Sequence, residues 1–174
     1  TCDSDPEWPQ RVRELYVQVE TSQSVPATYI GVAAPGLADS NGDCINWMPG
    51  RLPGLEGLIW KDLLQCHHSV SVLNDAHAAL LGEIWQGSAK NCNNVVLLTL
   101  GTGVGGAIVC DGQLLKGNIG RAGALGHICL DVDGELDICN IPGSLEEAIG
   151  ECSIAKRSSN RFLSTKDLLS AYQD

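Results

Sequence analysis

The sequence predicts an α/β protein. Two β-rich runs, "ATYIGVAAPG" (27–36) and "SVSVLN" (69–74), are separated by turn-rich chain, and the second feeds an Ala/Leu-rich helical stretch, "DAHAALLGEIWQG" (75–87). A second block, "NNVVLLTLGTGVGGAIVCDGQLLKG" (93–117), sets two apolar strands around a knot of glycines. Apolar residues make up 44% of the 174 and aromatics only 5%, so the core must be aliphatic. This length suits one domain or two small lobes.

The elements follow in order. Residues 6–20 place Val12, Leu15, Tyr16 and Val19 on one helical face. A polar break over 21–26 leads into the first strand, read as buried and closed by Pro35-Gly36. Residues 37–57, with Asn41-Gly42 and further Pro and Gly signals, read as a long loop, a length often tied to function. A short helix is predicted over 58–66, then the strand 69–74 and the helix that Gly87 stops. Strands follow at about 95–100 and 104–110, and Asp111-Gly112 turns the chain into a third near 113–116. Residues 117–142 read as irregular. Ser144-Leu145-Glu146-Glu147 is a capping box that opens a helix to about Arg157, and Ser164 starts a last helix. The polar stretch 87–94 is the best boundary between lobes, giving 1–90 and 91–174.

Composition narrows the function. A net charge of −10 argues against nucleic acid, which needs clustered Lys and Arg. No apolar run reaches membrane-spanning length, and no secretory signal opens the chain. The eight cysteines form no CxxC and several lie in apolar runs, which reads as reduced, buried thiols in a cytoplasmic protein.

The glycine knot is the most informative stretch. Gly101, Gly103 and Gly106 satisfy G-x-G-x-x-G, but a dinucleotide site needs a helix immediately afterwards, and "AIVCDGQLL" alternates like a hairpin. No Gly-Lys-Ser/Thr is present, so a Walker loop fails too. Two readings remain. Either backbone amides and the Thr102 hydroxyl line an anion-binding concavity, or this is a bulged hairpin with no ligand.

Four motifs occur in order: "GVAAPG" (31–36), "NDAHAALLGE" (74–83), "LTLGTGVGGAIVCDGQLLKG" (98–117) and "AGALGHI" (122–128). The combination resembles the ROK (repressor, open reading frame, kinase) family of sugar kinases and regulators over about residues 5–150. The resemblance implies the actin-like, ribonuclease-H-like ATPase fold, here as parts of two lobes with mixed sheets and flanking helices. Residues 1–90 would belong to the sugar-side lobe and 91–174 to the phosphate-loop lobe. It implies a hexose kinase using ATP and Mg²⁺, and a homodimer. Asp75 matches the catalytic base and Asn74 its sugar-binding neighbour; both also suit a helix N-cap. Gly36 matches the sugar-side Pro-Gly loop, and His127 a residue that contacts sugar hydroxyls and ligates structural zinc in many members. Glu146 matches a sugar-binding acid, although the first turn of a helix favours a carboxylate anyway. Thr102 and Gly103, with Gly101, Gly105 and Gly106, match the second phosphate loop.

Three departures follow from the same comparison. The sugar-binding Glu of the family's Ala-Gly-Glu-x-Gly-His is Ala124. The positions of three zinc cysteines hold Asp137, Cys139 and Ser144, so His127 and Cys139 are weak metal candidates and zinc is not expected. An Asp-x-Gly-Gly-Thr first phosphate loop and a Gly-Asp adenosine lobe are not found in these residues, which read as the middle of a family member and are not expected to turn over ATP by themselves. The alternative is a non-catalytic sugar-sensing effector domain of a ROK-type regulator; Ala124 favours it, and no helix-turn-helix supports it.

Overall fold

The structure is a computed structural model that describes residues 5–25, 27–48 and 52–172. Cys2, Pro26 and 49–51 lie outside them. The chain divides into two compact units. One holds the described residues up to Ala78 together with Lys116–Arg121, and the other holds Ala79–Leu115 with Ala122 onward.

In the first unit, helix α1 (Trp8–Ser22) precedes strand β1 (Tyr29–Ala34). The short strands β2 (Leu37–Ala38) and β3 (Ile45–Trp47) come next, then helix α2 (Trp60–Leu64) and strand β4 (Ser69–Asn74). β1 and β4 pair in parallel from Tyr29↔Ser69 to Ala34↔Asn74, which fixes Asn74 beside the end of β1. The core gathers Trp8, Ala34, Ile45, Leu55, Trp60 and Val72. The Trp8 and Trp60 rings pack at a tilt of 53° with centroids 6.1 Å apart, and the Trp8 indole donates to the Pro53 carbonyl at 3.1 Å.

Three expectations change here. α1 turns Trp8, Val12 and Tyr16 inward, while Leu15 and Val19 are exposed, so the inward face follows the four-residue spacing from Trp8. β1 is half-buried rather than buried, because its residues alternate and Tyr29 faces solvent. Residues 37–57 are not one loop. β2 and β3 pair antiparallel, and Ile45 and Leu55 are among the most deeply buried side chains. The Asp39 carboxylate organises this turn, accepting from the amides of Asn41, Asp43 and Cys44 at 2.7–3.2 Å. Burial pushes its pKa up, but these amides outweigh that and hold it below the usual carboxylate range.

Helix α3 (Asp75–Gln86) crosses the division between units. The second unit continues with β5 (Val95–Leu100), β6 (Val104–Cys110) and β7 (Gln113–Leu114), an antiparallel sheet in that order. Asp111 (φ 49°) and Gly112 (φ 75°) both adopt left-handed backbone, the two-residue turn that Asp-Gly predicts. The segment 117–142 contains a 3-10 turn at Leu125–His127. The predicted helix from 144 to 157 is broken: α4 (Leu145–Ile149) ends at Gly150, a 3-10 turn spans Glu151–Ser153, and α5 (Ile154–Arg157) follows. Ser144 does cap α4, accepting from the Glu147 amide. The break has a cause: the amides of Glu151 and Cys152 leave the helix to donate to the carbonyls of Gly101 (3.0 Å) and Thr102 (2.7 Å). α6 (Thr165–Tyr172) starts at Ser164, whose hydroxyl accepts from Asp167.

No disulfide joins the described cysteines. The expectation of buried thiols fails for most: Cys66 is buried, but Cys92, Cys110, Cys129 and Cys152 are exposed. No helix among the described residues is long and apolar enough to cross a membrane.

Candidate functional site

In the first unit the structure brings Gly36, Asn74 and Asp75 together. Gly36 has φ +96°, and a Cβ there would meet the Trp47 carbonyl at 2.6 Å and Ile45 at 2.8 Å, so glycine is required. Its carbonyl accepts from the Asn74 amide group at 3.0 Å. The Asn74 side-chain oxygen accepts from the amides of Ala76 (3.0 Å) and His77 (3.3 Å), which makes Asn74 the N-cap of α3. The capping role open to either residue therefore belongs to Asn74. Asp75 is exposed at the first helical position, with one oxygen on the Ala76 amide at 2.9 Å. A cavity of about 650 Å³ elsewhere in this unit is lined by Asp39, Asn46, Trp47 and Lys116–Arg121, and Arg121 lies 5.8 Å over the Trp47 ring. Sequence reasoning passed over this cavity because its walls come from segments 70 residues apart.

The glycine knot lies in the second unit. The turn is Gly101-Thr102-Gly103, since Leu100 already pairs with Val104. Gly105 and Gly106 are therefore strand residues, within the strand predicted at about 104–110, and stand outside the turn itself. Gly106 has a packing reason, because a Cβ there would sit 2.3 Å from the Gly123 carbonyl. Thr102 is exposed. The turn carbonyls of Gly101 and Thr102 are occupied by Glu151 and Cys152, and the amides of Thr102 and Gly103 donate to no described residue. Glu146 reaches the same turn: its carboxylate accepts from the Val104 amide at 2.9 Å and fills the space a Gly103 Cβ would take. This contact, across 42 residues, was not legible in the sequence.

"AGALGH" packs along β6. A Cβ on Gly123 would meet Ala107 at 2.9 Å, and one on Gly126 would lie 1.8 Å from the Val104 carbonyl. The Leu125 side chain covers Gly106. Beyond it, His127 Nδ1 lies 2.7 Å from Asp137 Oδ2, and His127 Nε2 lies 3.4 Å from Cys139 Sγ. The Asp137 side chain is fully buried. Its Oδ1 accepts from the amides of Cys139 (2.8 Å) and Ile141 (2.9 Å). Burial favours the neutral carboxyl, but the Ile141 amide, His127, the Ser144 hydroxyl and the Cys139 amide together hold the pKa below its usual value.

One donor atom from each of His127, Asp137 and Cys139 lies within 4.8 Å of the others. The set still does not fit a structural zinc, which wants four ligands closed around one ion. Each imidazole nitrogen already has a partner, Asp137 at Nδ1 and Cys139 at Nε2, and the cluster offers three ligands rather than four. Ser144, at the remaining position, is fully buried and caps α4. Asp137 instead ties the loop through amides.

That hub carries a pH signature. A carboxyl whose folded pKa is depressed stabilises the fold above its unfolded pKa, about 3.9, and the contribution is lost as pH falls through the lower folded value. Urea unfolding between about pH 5 and 2 should show a loss of stability that Asp137→Asn removes, at a cost near neutrality of about 1–3 kcal/mol. Parallel pH profiles for the two proteins would contradict the assignment.

The comparisons agree with this architecture. The ROK family matches residues 11–173. The chain belongs to the ROK family. It is 32% identical over 149 residues to a glucokinase of Thermotoga maritima, covering 84% of this chain and 46% of the relative. It is 31% identical over 152 residues to a xylose repressor of Bacillus spizizenii, covering 83% and 36%. Among solved structures, a ROK hexokinase from Thermus thermophilus superposes with a TM-score of 0.79 at 28% identity, over 99% of this chain and 59% of that one. A ROK glucokinase from Streptomyces griseus, solved with glucose and AMPPNP, gives 0.71 at 26%, over 87% of this chain and 49% of that one. The chain thus spans about half the length, or less, of the curated relatives it matches, and it has the actin-like ATPase fold of these kinases.

Proposed function

We propose that this chain carries sugar- and phosphate-binding residues of an ATP-dependent hexose kinase of the cytoplasm. The observation that carries the reading is the division of labour at the start of α3. Asn74 caps the helix, so the cap does not account for Asp75, whose exposed carboxylate stands at the end of the parallel pair β1/β4. In this reading Asp75 accepts the proton of the attacking sugar hydroxyl. The new O–P bond forms as the bond to the ADP leaving group breaks. Asn74, Gly36 and Glu146 are the sugar-contacting residues that the family likeness implies, whereas both ring nitrogens of His127 are engaged by Asp137 and Cys139. The Thr102 and Gly103 amides, which donate to no described residue, hold phosphate with the Thr102 hydroxyl. ATP with its Mg²⁺ supplies the phosphoryl group and neutralises its charge.

Ala124 favours a second reading, a sugar-sensing effector. A methyl group stands where the family places a hydroxyl-binding Glu, and the flanking Gly123 and Gly126 are explained by packing on β6. Hexose-dependent ADP release by the complete protein, across a panel of hexoses, separates the two. The kinase reading expects turnover of about 1–100 s⁻¹ with one of them. Sugar binding by calorimetry with no ADP release would establish the sensor reading instead.

A further inference from the structure

We propose that Glu146 couples the two substrates: its carboxylate sets the phosphate turn through one oxygen, takes sugar hydroxyls through the other, and so makes nucleotide binding depend on sugar. The inference rests on the kinase reading and adds a positioning role to it. Glu146 Oε2 accepts from the Val104 amide at 2.9 Å, and the carboxylate lies where a Gly103 Cβ would stand. Oε1 accepts from no described residue, and Glu146 is half-buried. Its seat is firm. The Gly150 amide closes α4 on the Glu146 carbonyl at 2.7 Å, and the next two amides, of Glu151 and Cys152, hold the Gly101 and Thr102 carbonyls. One short stretch, 146–152, therefore grips the turn at both its carbonyls and its Val104 amide.

The sign of the coupling follows from charge. The Thr102 and Gly103 amides offer two donors to a phosphate, and the third in the run, Val104, is already taken by the carboxylate. Without sugar, a bare carboxylate and a polyphosphate share one four-residue turn, and like charges in a partly buried site repel more strongly than in water. Sugar hydroxyls that donate to Oε1 draw part of that negative charge into hydrogen bonds and hold the side chain in place. The repulsion falls and the turn keeps one geometry, so sugar tightens nucleotide. By linkage, nucleotide tightens sugar by the same factor. A Glu146 that only braced the turn would give no such dependence.

Calorimetry on the complete protein tests this, with AMPPNP and Mg²⁺ titrated in the presence and absence of each hexose of the panel. Wild-type protein should bind AMPPNP at least about fivefold tighter with the hexose that supports ADP release, the lower end of ordinary coupling. Glu146→Gln keeps an acceptor for the Val104 amide but not the charge. It should bind AMPPNP more tightly than wild type when sugar is absent, and the dependence on sugar should disappear. Glu147→Gln removes the same formal charge from the first turn of α4, where no hydrogen bond joins that side chain to the phosphate turn, and should behave as wild type. Gly103→Ala reaches the same end from the other side. Its Cβ would overlap the carboxylate and expel it, so the coupling should be lost even where the affinity itself falls. Weaker sugar-free binding of AMPPNP by Glu146→Gln would show a brace only, and coupling that survives in Glu146→Gln and Gly103→Ala would lie elsewhere. Either result overturns the proposal and leaves the kinase reading standing, as would wild-type protein that binds the two ligands independently. Wild-type protein that binds no AMPPNP under any condition removes the kinase reading, and the proposal with it.

Discussion

Asp75→Asn should lower kcat for hexose phosphorylation by at least 100-fold while changing sugar affinity little. Asparagine keeps the shape of the side chain and can still accept from the Ala76 amide, so α3 should start as before. It cannot take a proton, and general-base help is worth about 10²–10⁴-fold. Because Asn74 is the cap, the substitution at 75 leaves the helix start intact, and a rate loss would be chemical. Steady-state kinetics with ATP and the preferred hexose, beside calorimetric sugar binding, decide it. A variant that retains more than about a tenth of wild-type kcat sinks the assignment of the base.

Gly126→Ala should be the most damaging single methyl in the second unit. The added Cβ would stand 1.8 Å from the Val104 carbonyl, a backbone atom that cannot rotate away. Gly126 does not have a left-handed φ, so the effect would be steric rather than conformational. Overpacking against a strand costs about 1–3 kcal/mol and sometimes more, and at this distance about 3 kcal/mol or above is expected. Gly82→Ala is the matched control. Nothing lies within 4 Å of a Cβ there, the residue is inside α3, and the change should stabilise by about 0.4–1 kcal/mol. Urea unfolding followed by far-ultraviolet circular dichroism measures both; equal stability of the two variants would show that the segment 122–127 is not seated on β6 as described.

Local features were legible in the sequence and long-range ones were not. The Asp111-Gly112 hairpin, the Ser144 cap and the strand-to-helix step at Asn74-Asp75 each depend on residues within a few positions, and each stands in the structure. The family resemblance supplied the fold. Sequence could not show that Ile45 and Leu55 are core, because their burial depends on the packing of β3 against distant strands. It could not show that Gly150 ends α4, because the competing acceptors lie at Gly101 and Thr102. Asp137 was noticed only as a lost cysteine position. The available signal was its own chemistry: an aspartate in a turn captures amides two and four residues on, here Cys139 and Ile141.

The tryptophans divide unevenly between the units, with a consequence for how this chain can be watched. Trp8 and Trp60 are buried against each other in the first unit, whereas Trp85, in the second, is 74% exposed. Emission from the buried pair should redden on unfolding, while Trp85 already emits from water. Fluorescence therefore follows the unit that contains Asn74 and Asp75, and is nearly blind to the hairpin and the His127 loop. Dichroism sees both units. Where the two signals diverge in a denaturant series, the lag between them measures how far one half of the chain opens before the other.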